Sequence, residues 1–535
     1  MLFTLHRYIF RELIKVFIPA AVALTLMMSI GSILRPVQEY GVGPRQVVHL
    51  MGYFLPITLT FVLPMAALFA AALVYGRFAC DNELDACRAS GVSLLTLVYP
   101  GLALAVIVAI ANLILSFHIM PVFVRRAEKS FKADAKQILF RNIERRGHYE
   151  LPTGRYRIYA DVTDPKRDIL GGVIVVERGL KNQRIERVIA AESARVRFDA
   201  HGIFNEVQIT AYNTYQMGSE DRGWFYFKWL PITTESPPLL GDAIKFKNID
   251  EMKAILLDPL QFYPIAKLAR ETYSQLIADL LTEDIADKMG AGGNSYRLYS
   301  GRKTIRFTAE QCAARDEKKV ELSGKVTVTE SDAADKKSER TLHSTRAFLL
   351  LEGDELTPTL TMELYSPAWE KADGSKGLAV GQMCIRGLVL PQAVADKLKA
   401  ENLLDAVSPD TVSQLLRKGP SKALAGLQAG LHTKIRQTFS EINSEIHSRL
   451  VFGMGCIPLI MIGIGLGIIK KGGHLLSAFG ASSVPAAMLI ICIMMGKNVA
   501  TNVGAHAGSG ILLMWIGLAA LTALMMVIYR RLLAN

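Results

Sequence analysis

Residues 89–117 read ASGVSLLTLVYPGLALAVIVAIANLILSF, 29 positions without an Asp, Glu, Lys, Arg or His. About 20 apolar residues cross the hydrocarbon core of a bilayer, so this stretch by itself predicts a membrane span. Working outward, five more uncharged runs of similar length appear: Val16–Leu34 and Leu50–Gly76 before it, then Leu450–Ile469, Leu475–Gly496 and Ala507–Tyr529 near the other end. The pattern is three plus three, and residues 121–449 lie between the two groups. Half of the 535 residues are hydrophobic and only 21% are charged, which excludes a purely soluble protein. Most charges fall in the middle block, where acids and bases nearly balance. The plan is therefore membrane, soluble, membrane. The net charge of +12 is not a nucleic-acid signature, because the basic excess of the C-terminal block caps apolar runs instead of forming patches interleaved with aromatics.

Positive charge sets the expected orientation. Arg7, Arg11 and Lys15 precede the first run, Arg77 and Arg88 sit between the second and third, Lys470 and Lys471 follow the fourth, and Arg530 and Arg531 follow the sixth. The opposite short loops hold only Arg35, Arg45 and Lys497. By the positive-inside rule both termini are cytoplasmic and the 121–449 block is extracytoplasmic; long domains cross regardless of their charge. The N-terminus reads as an amphipathic interfacial helix leading into a retained span, since Leu2, Phe3, Leu5, Ile9 and Phe10 alternate with His6, Arg7 and Arg11.

Between the second and third runs, Asp81-Asn-Glu-Leu-Asp-Ala-Cys-Arg-Ala-Ser-Gly91 reads as a short helix. Asp81 is placed to cap it, Glu83 and Asp85 complement its positive end, Arg88 sits in a later turn and Gly91 suits the stop. Leu84 with Ala86 or Cys87 would pack inward. Two readings fit the spacing, a docking surface and an ordinary solvated loop.

Four motifs in order resemble the lipopolysaccharide export permease family, the LptF/LptG or YjgP/YjgQ proteins: Arg7-Tyr-Ile-Phe-Arg-Glu-Leu13, Asn82-Glu-Leu-Asp-Ala-Cys-Arg-Ala-Ser-Gly91, Met120-Pro-Val-Phe-Val-Arg-Arg126 and Glu445-Ile-His-Ser-Arg-Leu450. The likeness covers residues 1–245 and 430–535. It implies a non-catalytic permease subunit of an ABC exporter that extracts lipopolysaccharide or a related glycolipid from the inner membrane and hands it to a periplasmic bridge. It further implies a cytoplasmic ABC ATPase dimer, a sister permease in a hetero- or homodimer, and β-jelly-roll bridge proteins as partners. Glu83 falls on the family's coupling-helix glutamate, with Asp81, Asp85 and Arg88 beside it. The chain has no G-x-x-x-x-G-K-[ST] phosphate loop, so ATP hydrolysis belongs to the partner. The resemblance implies no cofactor and no metal.

Arg35, Arg125 and Arg126 sit near the outer ends of spans, where guanidinium forks pair with lipid phosphates. The family uses basic residues in these neighbourhoods; anchoring to phospholipid head groups is the alternative. Lys497, at the end of the fifth run, either faces a cavity or snorkels. Pro56 and Pro64 in the second run and Pro485 in the fifth predict kinks.

The expected architecture is an α-helical integral membrane protein with six transmembrane helices and a large extracytoplasmic, mainly-β, jelly-roll-like domain with helical insertions. Its segments are 1–120 (membrane half, coupling helix 81–91), 121–245 (β domain), 246–430 (an extra α/β insertion that the family resemblance does not cover) and 431–535 (membrane half). Strand-like alternation marks Arg155–Val162, Gly171–Glu177, Arg184–Ala191, Ala194–Phe198 and Glu206–Tyr212. Residues 249–288 and 391–449 read as helical, strands resume at Ser295, and Ser331–Arg340 reads as a loop. Tyr296-Arg-Leu-Tyr299 echoes Tyr156-Arg-Ile-Tyr159. Cys312 and Cys384 form one bridge or remain two buried thiols. The external block has no H-E-x-x-H or G-x-S-x-G spacing, so catalysis is not expected there. Without the resemblance, a membrane-anchored envelope scaffold with an external β domain is the competing function.

Overall fold

The computed structural model describes all residues except 1, 41–43, 152–153, 180–183, 202–203, 219–224, 237–242, 291–294, 302, 316–318, 333–339, 353–357, 372–374, 379–381, 399–401, 470–474, 503–506 and 535. The chain opens with α1 (Leu2–Tyr40), α2 (Pro44–Cys80), the short α3 (Glu83–Ala89) and α4 (Leu94–Ile114). A π-turn, Leu115–Ile119, carries α4 into α5 (Met120–Arg146). Six strands follow: β1 (His148–Glu150), β2 (Tyr156–Asp164), β3 (Ile169–Arg178), β4 (Ile185–His201), β5 (Phe204–Gly218) and β6 (Phe225–Ser236). Next come α6 (Ile249–Leu257) and α7 (Tyr263–Gly290). The second β region comprises β7 (Tyr296–Ser300), β8 (Lys303–Thr308), β9 (Gln311–Arg315), β10 (Lys319–Asp332), β11 (Arg340–Glu352), β12 (Thr359–Tyr365), β13 (Ala368–Lys371), β14 (Lys376–Leu378) and β15 (Gln382–Val389). Short helices α8 (Gln392–Ala395), α9 (Leu403–Ala406) and α10 (Pro409–Leu415) lead to the long α11 (Lys422–Ile469), α12 (Leu475–Thr501) and α13 (Ala507–Ala534).

Among the described residues six helices are long and apolar enough to cross a membrane, within Phe3–Gly31, Met51–Cys80, Leu94–Lys129, Lys422–Ile469, Ser483–Thr501 and Gly508–Leu533. Two compact units result: residues 1–142, 238–257 and 436–535 in one, 143–237 and 258–435 in the other. The third apolar run was expected to end near Phe117; its helix continues far into charged sequence. Buried Val124 and Ala127, then Leu139 and Ile143, recur at helical spacing and give that extension an apolar stripe.

The helical unit is built on close backbone approach. Ala66, Ala67, Ala70, Ala71 and Ala72 of α2 are fully buried. A Cβ at Gly467 of α11 would lie 2.8 Å from the Ala72 carbonyl oxygen, and one at Gly463 would lie 2.7 Å from Leu68 Cδ1. Small residues at a four-residue interval thus let α2 and α11 touch main chain to main chain. Between α12 and α13, Gly496 and Gly510 do the same, each Cβ position falling within 2.6 Å of the other's carbonyl oxygen.

Helices α2 and α4 run through Pro64 and Pro100 without a break, and the carbonyl that each of these prolines leaves without a donor finds one elsewhere. Pro64 has no N–H for the Thr60 carbonyl, and Asn112 Nδ2 donates to it at 2.5 Å. Pro100 leaves the Thr96 carbonyl open, and His6 Nε2 pairs with it at 2.9 Å. In the π-turn the Met120 N–H reaches back five residues to Leu115, so the next donor in that register is residue 121, a proline. The Ser116 carbonyl accepts from Arg449 Nη1 at 3.1 Å instead.

In the other unit, β1 to β6 pair in chain order, antiparallel throughout. This is a meander. The crossovers of a jelly roll do not occur among the described strands of this sheet, because each strand returns beside its predecessor. Residues 184–191 and 194–198, expected as two strands, form the single β4: its register with β5 runs unbroken from Arg187 to His201, and only the in–out alternation changes phase, with Glu192 exposed and Ser193 half-buried between buried Ala191 and Ala194. In the second region the order is β14-β13-β11-β12-β15-β7-β8-β10-β9, and β10 also pairs with β11. Strands β10, β11, β12, β15, β7 and β8 thereby close a barrel. Helix α7 buries Leu276, Ile277, Leu280, Leu281 and Ile285 in the same core as Tyr296, Phe307, Val328 and Leu349. Cys312 on β9 and Cys384 on β15 are both free thiols, held apart by β7, β8 and β10 in the sheet order, so the bridge does not form. Burial pushes the Cys312 thiol up to about 12. Of the segment expected as a loop, residues 333–339 lie outside the described residues.

Three carboxylates in this unit each sit between two cations. Glu177 accepts from Arg155 at 3.0 Å and Arg187 at 2.7 Å, Glu321 from Arg315 at 2.6 Å and Arg346 at 2.7 Å, and Glu330 from Lys303 and Arg340, both at 2.7 Å. Burial works against the charge on Glu177 and Glu330, yet the paired cations outweigh it and hold both below the usual carboxylate range; at Glu321 the Arg315 hydrogen bond leads the same shift. A folded pKa below the unfolded one adds stability above the unfolded value and loses it as pH falls through the folded value. Thermal unfolding followed by circular dichroism should therefore show a plateau above about pH 5 and a falling melting temperature below about pH 4. Glu177→Gln should flatten part of that fall. In the helical unit, Gly467→Val should cost about 1–3 kcal/mol by overpacking and lower the melting temperature in detergent, while Gly426→Val, on the part of α11 that belongs to the other unit and where an added Cβ meets nothing within 4 Å, should change it far less.

Candidate functional sites at the two ends of the helical unit

One end gathers the start of α1, the end of α2, α3 and the start of α4. Helix α3 begins after Asn82, whose backbone is left-handed (φ 58°), and no side chain caps it. Asp81, expected as the cap, is exposed one residue earlier and its N–H bonds back to the Arg77 carbonyl at 2.9 Å; the left-handed turn at Asn82 carries it off the helix axis. Gly91, with φ 82°, follows the helix where a positive φ is required. Leu84 is 4% exposed and joins Ile9, Leu13, Phe78, Leu94 and Leu97 in one core, with Cys87 at its edge. Ala86 faces out. Glu83 and Arg88 are exposed and Asp85 is half-buried, so the apolar face fixes α3 while Glu83 stands clear. Behind it, Arg77 Nη2 donates to Glu12 Oε2 at 2.8 Å, and Lys15 donates to Glu12 Oε1 at 2.6 Å. The end of α2 is thus clamped to α1 beside the short helix.

The opposite end holds the other expected residues. The Arg35 side chain lies outside the described residues. Arg125 is not free: its Nη1 donates at 2.6 Å to Glu251 Oε1. Glu251 in turn closes a reciprocal cap with Asn248, whose N–H reaches Glu251 Oε2 at 2.8 Å while the Glu251 N–H reaches Asn248 Oδ1 at 2.6 Å. Arg126 is exposed, with its guanidinium 5.6 Å from the centre of the Phe123 ring. Lys497 neither snorkels nor stands alone; its ammonium pairs with Glu445.

That pair is part of a buried network that sequence reasoning missed. Arg449 Nε donates to Glu445 Oε1 at 3.0 Å, Nη1 to the Ser116 and Lys247 carbonyls at 3.1 Å each, and Nη2 to the Lys245 carbonyl at 2.8 Å. Its guanidinium lies 5.5 Å from the Phe117 ring centre. On the same stretch of α11, Ser440 Oγ donates to the Ala500 carbonyl, and Trp515 Nε1 donates to His447 Nδ1 at 3.3 Å. Just under three helical turns, Ser440 to Arg449, thus tie α11 to the π-turn, to the 244–248 segment, to α12 and to α13. The available signal was the four-residue interval between Glu445 and Arg449, which places both on one helix face.

The helical unit with its six apolar helices and the separate β-rich unit define an integral membrane protein with a β domain. The family described as lipopolysaccharide export system permease LptF/LptG matches residues 7–274, half of the chain, and the chain belongs to that family. The match runs from α1 through the six-stranded sheet into α7. Members are membrane permeases of lipopolysaccharide export, with no catalytic role of their own. No curated protein matches the chain.

Breaking a buried ion pair by removing one partner costs about 3–5 kcal/mol. Arg449→Ala should therefore lower the yield of folded protein sharply in fluorescence-detected size-exclusion chromatography. Arg449→Lys should recover little of it, because an ammonium cannot span the four acceptors that the guanidinium fork holds.

Proposed function

We propose that this chain is the permease subunit of an ABC-type exporter that draws lipopolysaccharide or a related glycolipid out of the inner membrane and passes it to a periplasmic bridge. In this reading both termini are cytoplasmic, three spans precede and three follow the external residues, and residues 121–245 form the domain that joins the bridge, with 246–430 as an added external module. The observation that carries the proposal is α3. It is anchored by a buried leucine and presents an exposed Glu83 at its first turn, in a chain whose N-terminal half matches the permease family. A cytoplasmic ATPase dimer docks there, Glu83 meeting a basic group of its groove, flanked by Asp81, Asp85 and Arg88. ATP-driven movement then opens and closes a lipid cavity formed with a sister permease. At the opposite end Arg35, Arg125, Arg126 and Lys497 meet the phosphates of the lipid.

Tagged protein pulled down from native membranes should retain an ABC ATPase and a second permease, as identified by mass spectrometry. Glu83→Arg should lose the ATPase alone, with the permease pair intact. An intact ATPase in the Glu83→Arg sample overturns the coupling role, and its absence from both samples, with control complexes preserved, favours an envelope scaffold.

A further inference from the structure

The triad Lys497, Glu445 and Arg449 carries two positive charges and one negative. Its members are unequally held. Arg449 is 4% exposed at its side chain and has four acceptors; Glu445 is 8% exposed and is bound by Arg449 whether or not Lys497 stays. Lys497 is 34% exposed and its ammonium has Glu445 Oε2 as its ion-pair partner. One half of the triad is therefore fixed and the other half is a flexible four-carbon arm on its accessible side. An excess positive charge near a low-dielectric region favours a further anion, and Lys497 is the only member of the triad that an incoming anion can reach.

We infer that Glu445 is an internal anion that masks Lys497, and that a phosphate-bearing lipid head group displaces it. This rests on the reading of Lys497 as a lipid contact and adds what that reading lacks, a competitor within the protein. Displacement leaves no carboxylate stranded, because Arg449 retains Glu445. It also releases α12 from one of its ties to α11, leaving the Ser440 to Ala500 hydrogen bond. The exchange thus makes the helix contact depend on whether an anionic lipid is present, and it gives specificity: a head group without phosphate does not compete with a carboxylate for an ammonium.

The test is a titration of the full-length chain in zwitterionic nanodiscs with bisphosphorylated lipid A and with its dephosphorylated counterpart. Wild type, Glu445→Gln, Lys497→Met and the double variant are compared. Removing the competing carboxylate should tighten binding of the phosphorylated lipid about threefold or more. Lys497→Met should weaken it, the double variant should match Lys497→Met, and the dephosphorylated lipid should respond to none of the changes. Tightening that persists in the double variant, or no tightening in Glu445→Gln while Lys497→Met still weakens binding, overturns the masking and leaves the lipid contact standing. A wild type that binds both lipids alike, or that is indifferent to Lys497→Met, overturns the lipid contact as well. Where Glu445→Gln does not yield folded protein, Glu445→Asp takes its place: it keeps a carboxylate for Arg449 but shortens its reach to Lys497, and the same outcomes apply.

Discussion

A backbone carbonyl without a donor is costly wherever water is scarce, and the helical unit is organised around three of them. Pro64, Pro100 and Pro121 each remove the N–H that would have closed a helical ring. Each open oxygen is then met by a side chain distant in sequence: Asn112 at Thr60, His6 at Thr96 and Arg449 at Ser116. These contacts join α2 to α4, α1 to α4, and the π-turn to α11. These three prolines are therefore points at which the helices are tied to one another, more than points of weakness in single helices.

The third of these ties differs from the others because it is ionic. Asn112 and His6 meet one carbonyl each, whereas Arg449 gathers three carbonyls and a carboxylate. Such a residue resists removal from its site, since every one of its acceptors would be left unsatisfied. The segment at residues 244–248 is held by the main-chain oxygens it offers, by the buried Ile244 and by its own cap at Asn248 and Glu251, which in turn occupies Arg125. Basic side chains near the ends of the apolar helices are thus engaged in building the unit.

Much of this architecture is legible in the sequence, and the misses have identifiable causes. Uncharged runs reveal apolar helices because burial in hydrocarbon forbids charge over about 20 positions; they say nothing of where a helix ends once it leaves that environment, so the run ending at Phe117 gives no sign of the continuation through the π-turn into α5. Alternation reveals strands but not their pairing, and the change of phase at Glu192 and Ser193 looks like the end of a strand when only one strand is in view. The short helix α3 was found from its charges and from Gly91, yet its start was misplaced because Asn82 takes a left-handed backbone that no side-chain pattern specifies. Glu445, Arg449 and Lys497 lie in view, and a four-residue interval links the first two. Lys497 is 52 positions from Glu445, and no local rule joins them.

The glycine and alanine seam between α2 and α11 divides the helical unit mechanically. Two helices in main-chain contact have no side chains to rearrange between them, so they cannot slide or part without clash or void. Their apolar stretches are 61% and 72% buried, against 22% for α1 and 28% for each of α12 and α13. The first pair acts as a stator. Any change in the unit's width falls first on α1, α12 and α13, whose apolar stretches are more exposed in this chain, with α12 and α13 held to each other by their own glycine contact.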